Sequence, residues 1–159
     1  MIGNRRKADC VAVRTALDTQ GRVNLRVYGS SMLPWIRPRD IVVIRRAKLA
    51  NIQCGDIVLF ARAERLFVHR VIEKKTAQNA TLLVTKGDAQ PQRDAPISSD
   101  ELLGRVSSLY RGWHWVNFDS SAQGLLNGLL FRISVLSEMW YPAARRLWSF
   151  LVPVYHAFE

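Results

Sequence analysis

Residues 56–72 read DIVLFARAERLFVHRVI, and this stretch decides the fold class. It holds two short apolar runs, 56–60 and 66–72, rich in β-branched and aromatic residues. In the second run Phe67, His69 and Val71 alternate, as on one face of a strand. The interval 61–65 is too short for a crossover helix between parallel strands. Similar runs recur on both sides: IVVI (41–44), TLLVT (81–85) and LLGRVSSLY (102–110). Gly, Pro, Asn and Asp punctuate them, and no helical period survives between them. Residues 23–110 therefore read as a mainly β domain.

The flanks differ. Residues 1–22 form an N-terminal segment in which Val11, Val13, Ala16 and Leu17 lie among charges and Gly21 acts as a stop. That pattern predicts a short helix over 4–19. Residues 111–159 carry four of the five tryptophans, Trp113, Trp115, Trp140 and Trp148. Leu125, Leu129, Ile133, Leu136 and Trp140 fall at helical spacing, and Pro142 interrupts them. Two short amphipathic helices are predicted in this aromatic, basic tail. They either cover an open face of the β domain or attach to a membrane interface, with Trp and Arg at headgroup depth.

At 159 residues the chain can build one core plus an appendage. A hydrophobic content of 48% excludes a wholly disordered chain. The net charge of +10 favours negatively charged partners, such as anionic headgroups or nucleic acid. Within residues 22–48 seven residues are basic and one, Asp40, is acidic. Cys10 and Cys54 suggest neither a disulfide framework nor a zinc site. His69, His114 and His156 have no metal-ligand spacing, so neither metal nor organic cofactor is expected. No secretory signal and no run of 18 uncharged apolar residues is visible.

Three motifs carry candidate chemistry. GSSMLP (29–34) places adjacent serines between Gly29 and Pro34, in a turn that exposes backbone N–H groups. A serine becomes a nucleophile only with a base and with donors aimed at the oxyanion. His69, in FVHRVI (67–72), is the side chain best suited to that base work near neutral pH. Asp88 and Asp94 lie in the polar loop of VTKGDAQPQRDAP (84–96), and either could orient the imidazole. Taken singly, these are a polar turn, a packed histidine and a solvated loop.

In that order the motifs resemble the signal peptidase I and LexA-type serine peptidase superfamily. The resemblance runs from Arg26 to Tyr110 through GSSMLP, RPRDIVVI (37–44), CGDIVLF (54–60), FVHRVI, VTKGDAQPQRD (84–94) and LLGRV (102–106). It implies a coiled, mostly antiparallel β domain that binds substrate extended along a strand edge. It also implies that Ser31, the serine just before Met32, is the nucleophile. Bacterial signal peptidases and LexA-type proteins have a lysine base where this chain has His69. That histidine matches the endoplasmic-reticulum, archaeal and sporulation-associated branch, which uses a Ser-His pair with an aspartate. Asp88 and Asp94 align with that branch's two aspartates. The second is the better catalytic partner, and the first suits a structural role.

Three departures stand out. Pro38-Arg39-Asp40 replaces the family's Pro-Gly-Asp turn. Gly29 stands where lysine-type enzymes carry an oxyanion-binding serine, leaving the Ser31 N–H and the Ser30 hydroxyl, with Gly29 and Met32 beside them, to face the substrate. The anchor usual at the N-terminal side is not visible, so docking by another route is expected. The resemblance thus implies a membrane-associated serine endopeptidase that removes a signal or leader peptide from a precursor. Its tail, 111–159, would touch anionic lipid. The rival readings are a cytoplasmic maturation peptidase for one partner precursor, a LexA-like DNA-binding regulator, and a catalytically dead peptide-binding scaffold. Against the regulator, residues 1–22 are too few for a helix-turn-helix domain, which makes nucleic acid a disfavoured partner.

Overall fold

A computed structural model of the chain describes residues 2–77 and 80–118. Helix α1 (Ile2–Gln20) leads into β1 (Arg22–Arg26) and β2 (Ile41–Arg46), and a 3₁₀ turn at Leu49–Asn51 precedes β3 (Ile57–Arg62). Strands β4 (Arg65–Ala77), β5 (Ala80–Lys86), β6 (Leu102–Arg111) and β7 (His114–Asn117) follow. All seven strands join one antiparallel sheet in the order β1-β2-β6-β3-β4-β5, with β7 also paired to β6. The mainly β class read from the sequence is the observed one.

The continuous apolar run of β3 has a simple cause: both faces of the sheet are covered there. Ile57 and Leu59 join a cluster with Val42, Ile44, Leu103, Val106 and Leu109, closed from outside by Val13 and Leu17 of α1. Val58 and Phe60 point the other way, into a cluster with Ile52, Val71, Leu83, Ile97 and Leu102. Of the apolar helix positions, Leu17 is 1% exposed and Val13 8%, whereas Val11 stays outside at 58%. The Gly21 N–H bonds Leu17 O at 3.1 Å and ends the helix where the sequence places its stop.

Register shifts at Val43/Ile44 and Leu59/Phe60 flank the centre of β6, and such bulges bend and coil a sheet. There β6 lies so close to β2 that a Cβ on Gly104 would sit 2.4 Å from Arg45 O. Only glycine fits.

One expectation needs correction. Residues 111–117 do not begin a helical tail. β6 runs on to Arg111, and a tight turn at Gly112–Trp113 returns the chain as β7, pairing Tyr110 with Trp115 and Arg111 with His114. Gly112, at φ +57°, takes the left-handed conformation that this reversal requires. The predicted helices of 119–159 lie outside the described residues. The Pro38-Arg39-Asp40 turn carries its side chain in a backbone conformation that favours glycine. Arg39 takes φ +75°, in the left-handed region, while Asp40 N–H bonds Arg37 O at 3.1 Å.

Candidate active site

His69 stands near the middle of β4, opposite Val58 of β3. Strand alternation turns it toward the second apolar cluster, where Phe60 and Phe67 stack on each other. Both rings lie 6.0 Å from the imidazole, centroid to centroid, and leave it only 4% exposed. An imidazole so walled in cannot swing, and its two nitrogens face different partners.

On one side, Asp94 Oδ2 lies 2.6 Å from Nδ1; on the other, Ser31 Oγ lies 3.1 Å from Nε2. A carboxylate only accepts, so Nδ1 carries the proton. The neutral ring then offers its Nε2 lone pair to the Ser31 hydroxyl. Residues 38 and 25 positions apart in the chain thus converge on one imidazole.

Each neighbour is held in turn. Ser31 sits in the loop between β1 and β2, whose ends are tied by Val27 N–H to Asp40 O and Arg39 N–H to Val27 O. Met32 and Ile36 pin this loop into the core, at 2% and 0% exposure. Asp40 locks the loop's far end. Its carboxylate accepts from Arg37 N–H at 2.7 Å and from Arg111 Nε and Nη2 at 3.0 and 2.7 Å. Arg111 also donates to Trp35 O at 2.7 Å, so the β6–β7 hairpin braces the loop that carries Ser31.

The loop after β5 approaches from the other side. Ala89 N–H donates to Ser31 O at 2.8 Å. Gly87 is the point of closest approach, where a Cβ would meet Ser31 O at 2.8 Å and Ser31 Cβ at 3.0 Å. The glycine of KGD is thus what allows the two loops to touch. Beyond it, Asp94 N–H bonds Thr85 O at 2.8 Å, and the Thr85 hydroxyl donates to Asp94 Oδ2 at 2.7 Å. Burial pushes the Asp94 carboxyl up. The hydrogen bonds from His69 and Thr85, with the charges of His69 and Arg62, outweigh that and hold it below the ordinary carboxylate range. It is therefore ionised near neutral pH. Arg62 straps the chain just past it, donating to Ala95 O at 2.9 Å, Pro96 O at 2.8 Å and both oxygens of Glu101.

The two candidate acids have different partners. Asp94 meets the imidazole, whereas Asp88 receives two hydrogen bonds from Arg70, at 2.9 and 2.8 Å. Arg70 also donates to Gly55 O at 2.9 Å, and this pair is sealed, with side-chain exposures of 1% and 3%. Lys74 is committed elsewhere, donating to Ala50 O and Ile52 O. Gly29 and Ser30 are exposed on the open side of the loop. The reading of Met32 as a substrate-facing residue is corrected, because its side chain is buried in the cluster under α1. Among the described residues no group of three or more His, Cys, Asp or Glu is arranged to hold a metal ion.

A family model described as Peptidase S24-like matches residues 6–107, a span that includes Ser31, His69 and Asp94. The chain belongs to the Peptidase S24-like family, within the LexA and signal peptidase superfamily. A search of curated proteins finds no match to the chain. The matched span begins inside α1, takes in all of β1 to β5, and ends inside β6.

Sequence reasoning missed Thr85, Arg70, Arg62 and Arg111, which hold the S24-like centre together. An arginine next to His69 in the apolar run 66–72 was the one visible signal, since a charge buried there needs a partner. The others are surface-type residues whose role appears only once the loops meet.

Proposed function

We propose that the chain is a serine endopeptidase that removes a signal or leader peptide from a precursor protein, by the Ser-His-Asp branch of its superfamily's chemistry. The observation that carries this reading is the single imidazole bonded to Ser31 Oγ at 3.1 Å and to Asp94 at 2.6 Å. Ser31 Oγ attacks the scissile carbonyl as His69 Nε2 takes its proton. The oxyanion is met by the Ser31 backbone N–H and the Ser30 hydroxyl. Collapse of the tetrahedral adduct breaks the C–N bond and leaves an acyl-Ser31 ester. The imidazolium returns its proton to the departing amine. Water, deprotonated by the same Nε2, then hydrolyses the ester and restores Ser31. Asp94 holds Nδ1–H throughout and stabilises the imidazolium each time it forms.

The reading extends to work at a membrane surface. Tyr28, Trp35, Tyr110, Trp113 and Trp115 are exposed, Trp113 fully so at 102%. They sit on the Ser31 loop and on the β6–β7 hairpin that Arg111 ties to it. Amphipathic rings beside arginines suit headgroup depth. Among the described residues no helix is long and apolar enough to cross a membrane.

The test is incubation of the purified full chain with candidate precursors and with peptides carrying small residues before the scissile bond. Mass spectrometry then locates the cut. Ser31→Ala and His69→Ala each abolish cleavage; full activity in either variant ends the mechanism. Sedimentation with anionic vesicles tests the membrane extension separately.

A further inference from the structure

We propose that Thr85 is a positioning residue for this reaction, its hydroxyl holding the Asp94 carboxylate in the orientation that His69 requires. The inference rests on the Ser31-His69-Asp94 reading and adds a fourth member to it. The terminal torsion of an aspartate is soft, with no sharp staggered wells to fix the plane of its oxygens. A carboxylate that must aim one oxygen at a fixed imidazole therefore needs a second tether. Arg62 does not supply it, because its bonds go to Ala95 O, Pro96 O and Glu101, beyond the carboxylate.

Thr85 does. Its hydroxyl reaches the very oxygen that accepts from His69, Asp94 Oδ2, at 2.7 Å. Its carbonyl accepts Asp94 N–H at 2.8 Å, so one residue fixes both the backbone and the side chain of the acid. Thr85 is 0% exposed, near the C-terminal end of β5, and water does not replace the hydroxyl if it is lost. A buried threonine hydroxyl usually needs no more than a nearby carbonyl. Here it is spent on an ionised carboxylate, where a hydrogen bond is about twice as strong as a neutral one.

The experiment compares the full chain with Thr85→Val and Thr85→Ser, using a peptide with small residues ahead of the scissile bond. Ser31→Ala and Asp94→Asn run alongside. Two readouts are taken: kcat and KM separately, and the low-field proton resonance of His69 Nδ1–H, which needs no turnover. Thr85→Val is expected to lower kcat by about 10- to 100-fold, the worth of one charge-assisted hydrogen bond, with KM unchanged. Its Nδ1–H resonance shifts, and Thr85→Ser keeps both the rate and the resonance. If Thr85→Val does not fold, Thr85→Ala carries the same expectations. Wild-type kcat and resonance in the valine variant, with Ser31→Ala inactive, overturn the role of Thr85 alone. So does a serine variant as impaired as the valine one. Undiminished cleavage by Ser31→Ala instead removes the peptidase reading beneath it.

Discussion

Replacing Asp88 by asparagine separates stability from chemistry among the two acids. The change keeps the shape of the side chain but removes the charge facing Arg70, whose side chain is 1% exposed. The guanidinium then keeps Gly55 O and a weaker amide oxygen as partners. Two unit charges about 4 Å apart interact by about 4 kcal/mol at an effective dielectric of 20. Breaking one side of a buried pair typically costs about 3–5 kcal/mol, because the remaining charge stays desolvated. Asn retains one acceptor, so the lower end, about 3 kcal/mol, is expected for Asp88→Asn. That is a large share of the roughly 5–15 kcal/mol that holds a domain together. Replacing both partners, Arg70→Met with Asp88→Leu, recovers most of the loss, since no charge is left buried. Urea denaturation followed by tryptophan fluorescence measures each value, with the slope checked for constancy. Asp94→Asn behaves in the opposite way. Its amide can present N–H to Nδ1 and invert the imidazole tautomer, so cleavage falls by as much as ~10⁴-fold with little loss of stability. Two results refute this reasoning: an Asp88→Asn loss under about 1 kcal/mol, or an Asp88→Asn protein that is folded and inactive while Asp94→Asn cleaves normally.

Arg39→Gly is expected to raise stability by up to about 1 kcal/mol, because Arg39 sits at φ +75° and glycine removes that strain; thermal unfolding reads it, and a lower midpoint contradicts it. Gly87→Ala forces a Cβ to within 2.8 Å of Ser31 O, so the Ser31 loop must move outward by a few tenths of an ångström. The expected result is about 1–3 kcal/mol of destabilisation together with at least a tenfold slower cleavage at a temperature where the variant is folded. Acid should unfold the protein partly through Asp40. Burial pushes its carboxyl up, but the bonds from Arg111 and Arg37 N–H hold it below its ordinary value. A depressed carboxylate contributes stability that is complete above its unfolded value, near pH 4, and is lost as pH falls through the lower folded value. Denaturant midpoints taken from pH 5 down to pH 2 should therefore drop more steeply for wild type than for Asp40→Asn; parallel curves count against the Asp40–Arg111 latch.

Much of this architecture was written locally. Short β-branched runs with tight intervals cannot be helices or crossover units, so the antiparallel sheet was legible before any contact was known. The motif GSSMLP, His69 and the two aspartates were legible too, because each is a local pattern of residue types. The β6–β7 hairpin was not, because tryptophans and a glycine at 112–115 fit an amphipathic tail as well as a turn, and only pairing with β6 distinguishes them.

What the linear order could not decide was which groups touch. Asp88 and Asp94 are both loop carboxylates in the same segment. The choice between them depends on Arg70, which lies one residue from His69 but on the opposite face of β4, where it takes Asp88 out of reach. Thr85 and Gly87 read as ordinary strand and turn residues until the loop after β5 folds against Ser31. Composition and periodicity are properties of neighbours along the chain, and they determined the sheet. The Ser31, His69 and Asp94 contacts join groups 25 and 38 residues apart, and only the packing of two loops across the sheet brings them within a hydrogen bond's length.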